Sequence, residues 1–337
     1  MRDHGGDLDR ARALYGGTDW IDLSTGINRV PYPVTALTPH AWAALPMARD
    51  LEALEQAAGR AFGTAGTVVA LPGAQAAIQL LPRLDRPGRA AVLVPSYNEH
   101  AAALAAQGWA VEAAPDIAAM AGADLAVVVN PNNPDGRCWA PATLAELAGR
   151  VGRLIVDESF GDADPSLSLA PALPVLGERV VILRSFGKFY GLGGVRLGFA
   201  LAGPETAARL RVLAGPWAVG GPAIAIGHAA YCDAEWQART AARLCDDSAR
   251  LQAYVAAAGW PAIGATPLFV TVETGDARAA QDRLARARIW TRAFPYSTGW
   301  LRLGLPGNRD EWERLVVALS VGGQAVLHNS DRAKFST

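Results

Sequence analysis

The stretch Ser185-Phe186-Gly187-Lys188-Phe189-Tyr190-Gly191-Leu192-Gly193-Gly194-Val195-Arg196-Leu197-Gly198 decides how this chain is read. It follows the apolar run Val180-Val181-Ile182-Leu183 and is too rich in glycine to form a regular element. A lysine at a strand end, with Ser185 and Arg196 close by, has a definite chemical use. Its amine can form an imine with an aldehyde, while the serine and arginine bind a phosphate. The competing account is a glycine-rich turn with a surface lysine. Composition weighs against it. Lys and Arg total 31, yet the only lysines are Lys188 and Lys334. A GC-rich coding bias explains the excess of arginine, so a lysine kept inside the chain needs its own reason. Lys334 sits in a polar stretch that reads as a frayed end.

Outward from this segment, short apolar runs alternate with helical stretches. Strands are predicted at Thr67–Leu71, Ala90–Val94, Asp124–Val129, Leu154–Val156, Val180–Leu183 and Leu197–Ala200. Helices are predicted near Ala74–Leu81, Glu99–Gln107 and Pro141–Arg150. The strands are apolar throughout, as expected when both faces are buried under helices in a mostly parallel sheet. Strand and helix in alternation make the class α/β. Beyond the Gly-Pro pairs at 203, 215 and 221, a long helix over Ala234–Ala258 leads to a strand at Leu268–Val272. Helices over Asp276–Arg286 and Asn308–Leu319 complete a smaller α+β unit. The expected division is a large domain over 35–233, a small domain from 1–34 and 234–325, and a tail over 326–337.

In open α/β sheets, ligands lie outside the carboxyl ends of the strands. Gly73–Gln75, Tyr97, Asn130–Gly136, Asp157-Glu158 and Ser185–Lys188 all fall at such ends. Segments far apart in sequence would therefore meet at one edge.

Bulk properties limit the alternatives. Of 337 residues, 51% are hydrophobic and 19% charged, which suits a packed core and argues against disorder. The net charge of -1 gives no basic field for nucleic acid. Cys138, Cys232 and Cys245 form no CxxC pair and no metal-ligand cluster, so no metal is expected and a reducing cytoplasm is. No apolar run approaches the ~20 residues that span a bilayer, and the polar start Met1–Asp7 lacks the core of a signal peptide.

The lysine segment resembles the S-x-x-K-x-x-G-L-x-G-x-R-x-G signature of class I/II aminotransferases and related enzymes that use pyridoxal 5′-phosphate (PLP). Companion motifs follow in the family's order from His4 to about Leu319. The resemblance implies the PLP fold type I: a mostly parallel seven-stranded sheet in a large domain, a smaller α+β domain, and a homodimer. It implies that Lys188 carries PLP. Asn133, within Asn130-Pro131-Asn132-Asn133-Pro134-Asp135-Gly136, would bond the phenolic oxygen. Asp157 would keep the pyridine nitrogen protonated, which makes the ring an electron sink. Gly73, Ala74 and Gln75 would hold the phosphate together with Ser185 and Arg196. Tyr97 would stack on the ring, and Lys188, Asp157 and Tyr97 would form the catalytic set. Arg302, in Leu301-Arg302-Leu303-Gly304, would grip the substrate α-carboxylate bidentately. Taken alone, the Pro/Asn run is also an ordinary turn, Asp157 a cap and Arg302 a strand arginine. Two positions differ from many relatives: Phe160 replaces a tyrosine, and Leu45-Pro46 stands where Tyr-Pro is common.

His4-Gly5-Gly6-Asp7-Leu8, Ile21–Asn28 and Pro95-Ser96-Tyr97-Asn98-Glu99-His100 resemble elements of the threonine-phosphate decarboxylases of cobalamin biosynthesis. That branch converts L-threonine O-3-phosphate to (R)-1-amino-2-propanol O-2-phosphate and CO2. By this match His4 and Asn28 join Arg302 as substrate ligands. Gly26 stands where the branch has asparagine and cannot supply a side-chain ligand. Arg29 replaces a proline and could supply charge. Two alternatives stay open: an aminotransferase acting on histidinol phosphate or a similar amino acid, and a non-catalytic scaffold in a cobalamin-synthesis complex.

Overall fold

The computed structural model describes residues 4–320. The expected tail, and residues 1–3 and 321–325 of the expected small domain, lie outside them. Among the described residues thirteen strands run in chain order: β1 Ile21–Asp22, β2 Thr67–Leu71, β3 Arg89–Leu93, β4 Ala110–Ala114, β5 Leu125–Val129, β6 Arg153–Asp157 and β7 Val180–Ser185. β8 Gly198–Ala202, β9 Ala262–Thr266, β10 Phe269–Glu273, β11 Ile289–Trp290, β12 Arg292–Ala293 and β13 Trp300–Gly304 follow.

A seven-stranded sheet has the order β2-β8-β7-β6-β5-β3-β4. All its neighbours are parallel except β8, which is antiparallel to both β2 and β7. Successive residues of a strand serve opposite faces. Val127 belongs to one apolar cluster and Val128 to the other, and Val181 and Ile182 divide in the same way. Burial on both faces is therefore what the continuous apolar runs encode. Each such aliphatic side chain contributes about 1.5–3 kcal/mol. The six strands read from sequence are present, with ends shifted by one or two residues. The seventh, β4, was not among them. It is the edge strand, and Ala110, Glu112 and Ala113 on it are exposed, so it lacks an apolar signature.

The second sheet has the antiparallel order β12-β13-β10-β9. It shares the larger apolar cluster with one face of the main sheet, through Val270, Val272, Leu301 and Leu303. The helix Ala234–Ala257 packs on β9 and β10, and its N-cap Asp233 accepts from the Trp236 amide. β1 pairs in parallel with β11, tying the chain's early residues to the C-terminal part.

The register brings the site together. Leu71 at the end of β2 and Ser185 at the end of β7 both pair with Gly198, the first residue of β8. A Cβ on Gly198 would lie 2.3 Å from the Ala74 amide nitrogen, so only glycine lets the helix Ala74–Leu80, which follows β2, start against β8. β3, β5 and β6 end at the same edge, delivering Tyr97, Asn133 and Asp157.

Candidate active site

A cavity of about 320 Å³ opens at that edge, with Lys188, Asp157, Tyr97, Asn133, Arg196 and Arg302 among its walls. Gly73, Ala74, Gln75, Ser185 and His4 also line it. Eleven of the twelve residues singled out from sequence thus meet in one place.

The twelfth does not. Asn28 is buried, but both ends of its amide are engaged elsewhere. Its Nδ2 donates to the Phe189 carbonyl at 2.9 Å, and its Oδ1 accepts from the Val30 amide and from Arg243. The Asn28 amide nitrogen also donates to the Lys188 carbonyl. Asn28 fastens the lysine loop from behind, and the expectation of a substrate ligand there is corrected. Arg29 is corrected too: its guanidinium pairs with Glu311 at 2.8 Å and does not line the cavity.

Asp157 is buried at the end of β6. Burial alone would raise its pKa, but a 2.8 Å contact with His100 Nε2 and hydrogen bonds from Ser159 hold it below the usual carboxylate value. A carboxylate kept ionised suits a protonated ring nitrogen. His100 went unassigned in the sequence because nothing in its motif fixes which way the ring points.

Lys188 projects from the short helix Phe186–Phe189. Burial, then the charges of Arg302 and Arg292, push its amine down to about 8. Its Nζ donates to the Thr25 carbonyl at 3.3 Å and lies 5.4 Å over the ring of Phe160. Arg302 is buried on β13 and lowered to about 9, first by burial and then by Arg292. It donates to Asn133 Oδ1 and, at 2.6 Å, to the Ser24 carbonyl. Since Asn133 accepts through Oδ1, its NH2 group remains for the cavity.

At the other end, Gly73 has φ +87, and a Cβ there would lie 2.9 Å from Arg196. The turn is open only because residue 73 is glycine. The first N–H groups of the helix Ala74–Leu80 lack intrahelical acceptors. Tyr97 donates to Gln75 Oε1 at 3.3 Å and is pushed up to about 12 by burial and the nearby Glu99 and Asp157. His4 Nε2 lies 3.0 Å from Glu99 Oε1, while Gln75 Nε2 donates to Glu99 Oε2. Gly6 donates to Ser24 Oγ at 2.7 Å, so the segment from His4 is pinned beside the opening.

Gly26 faces the Phe160 ring. With φ +64 at Gly26, an added Cβ would lie 3.2 Å from Phe160 Cε1 and 3.3 Å from Phe269 Cδ1. Two of the four positions that depart from the family pattern therefore form one local arrangement. Arg292 also lines the cavity and was not singled out from sequence.

The donor set fits PLP: an amine, a carboxylate held ionised by His100, an amide NH2, and a glycine turn beside Ser185 and Arg196. Lys188, Asp157, Asn133 and that turn would hold it. Among the described residues no group of three or more metal-ligating side chains occurs.

The profile of the family described as aminotransferase class I and II matches residues 18–319. A threonine-phosphate decarboxylase of Sinorhizobium sp is 43% identical over 94% of this chain and 97% of that protein. One from Pseudomonas aeruginosa is 42% identical over 95% and 97%. In fold, the histidinol-phosphate aminotransferase of Sinorhizobium meliloti, solved in complex with pyridoxal 5′-phosphate, superposes with TM-score 0.78 over 92% of each chain at 20% identity.

Proposed function

This chain belongs to the class I and II aminotransferase family, and from that premise we propose that it is a PLP-dependent lyase. It decarboxylates L-threonine O-3-phosphate to (R)-1-amino-2-propanol O-2-phosphate, a step of cobalamin biosynthesis. The observation that carries this reading is similarity to two threonine-phosphate decarboxylases over nearly the whole of both chains.

The cavity suits such a substrate. Four cations line it: Lys188, Arg196, Arg292 and Arg302. Arg196 serves the cofactor phosphate with Ser185 and the Gly73–Gln75 turn. Arg302, fixed by Asn133 and Ser24, presents its guanidinium to the substrate carboxylate. Arg292 and His4 are then placed for the substrate phosphate, whose charge would otherwise be costly to bury. PLP supplies an electron sink for the pair left behind when CO2 departs. Asp157, held ionised by His100, sustains that capacity. Tyr97, on the cavity wall, would stack on the cofactor ring. Lys188 returns a proton to the substrate carbon.

The protein acts as a cytoplasmic homodimer. Trp42, Leu45 and Trp217 are 70%, 65% and 60% exposed, an apolar surface that fits cover by a second copy. The three cysteines are free and exposed, which suits a reducing compartment.

The test is CO2 release from L-threonine O-3-phosphate by the PLP-loaded protein. Amino-group transfer to 2-oxoglutarate without CO2 would favour the aminotransferase reading.

A further inference from the structure

Lys188 and Arg302 are held without a carboxylate within ion-pair distance among the described residues. They donate instead to successive backbone carbonyls, those of Thr25 and Ser24, at 3.3 and 2.6 Å. Both also sit over phenylalanine rings. Lys188 Nζ is 5.4 Å from the Phe160 centroid, and Arg302 Cζ is 5.0 Å from that of Phe269. The two rings meet edge to face at 5.0 Å. The cations therefore rest on an aromatic pair and a strip of carbonyls.

We propose that Phe160, seated in the space that Gly26 leaves open, is a positioning residue that favours the ammonium form of the Lys188 side chain, against the Thr25 carbonyl, when its amine is not bound to the cofactor. The face of an aromatic ring is electron-rich and attracts a cation, more strongly where water is excluded. The Thr25 carbonyl adds a second acceptor for the same charge. Both oppose the groups that disfavour the ammonium, which are burial and the charges of Arg302, Arg292 and Arg196; Asp157 acts in its favour. Gly26 makes the arrangement possible, since any Cβ there would crowd both rings. In the preceding functional reading, on which this consequence alone rests, the proton so retained is the one Lys188 returns to the substrate carbon.

The test uses the full chain freed of PLP and carrying Lys334→Arg, so that Lys188 is its only lysine. Acetic anhydride labelling of Lys188 across a pH series, quantified by mass spectrometry, gives the pKa of its amine. Phe160 is then replaced by mono-, di- and trifluorinated phenylalanine, which keep the ring's shape while withdrawing electron density from its face. The expected result is a progressive fall in the Lys188 pKa, reaching roughly half a unit to one unit with the trifluorinated ring. Phe160→Leu should lower it similarly, and Phe160→Tyr, which keeps the face, should leave it nearly unchanged. A pKa that does not move with fluorination overturns the proposal, as does a fall with Phe160→Tyr equal to that with Phe160→Leu. No PLP takes part in the labelling, so failure to release CO2 would count against the functional reading and leave this result untouched.

Discussion

Nε2 of His100 lies 2.8 Å from Oδ2 of Asp157, with both side chains buried. Removing the imidazole leaves a buried carboxylate short of its main partner. His100→Ala is therefore expected to lower unfolding stability by about 3 kcal/mol, read by urea denaturation. It should also raise the Asp157 pKa and weaken PLP binding, read by cofactor titration.

Capture of PLP requires the neutral amine of Lys188. With its pKa lowered to about 8, the neutral fraction grows as pH rises through that value and levels off above it. The rate of PLP uptake, followed by visible absorbance, should trace the same curve. Lys188→Ala should abolish both the visible band and CO2 release.

Arg302 and Arg292 are expected to separate the two anionic groups of the substrate. Arg302→Gln should lower kcat/KM for phosphorylated and unphosphorylated threonine alike, by about a hundredfold or more. Arg292→Gln should raise KM for L-threonine O-3-phosphate by about tenfold or more and leave that for L-threonine nearly unchanged. Steady-state kinetics with both compounds decides the assignment.

Arg184 is buried between Glu158 and Asp162, 3.5 Å from an oxygen of each. Burial raises Asp162 from 3.8 to about 6 despite that arginine. A carboxyl with a raised folded pKa binds more protons folded than unfolded between those two values. Its contribution to stability is therefore lost as pH rises through that window. Asp162→Asn should remove this component. The stability of the variant relative to wild type should rise from the lower pH to the upper one, measured by denaturation at both.

The main sheet was legible because two-faced burial writes itself as uninterrupted apolar runs. β4 was not, because an exposed edge strand of alanines and a glutamate carries no such mark. The lysine, aspartate and glycine turn of the site were legible from motif and order. Asn28 was misread because a motif gives residue type but not direction, and its amide turns toward Phe189 and Arg243. Arg292 and His100 were passed over for the same reason. One arginine among many, or one histidine on a helix, shows its part only when the chain folds it against a partner.

The way Gly26 faces the Phe160 ring has a consequence for how this site can change over generations. A side chain gained at position 26 presses on Phe160 at 3.2 Å and on Phe269 at 3.3 Å and is strained while the phenylalanine remains, and shrinking position 160 first opens a hole beside the reactive lysine. Neither step is harmless by itself, so the two positions should drift as a pair, and the order of mutations should matter. Grafting one of them alone from a relative would carry the defect of the intermediate rather than the property of the donor.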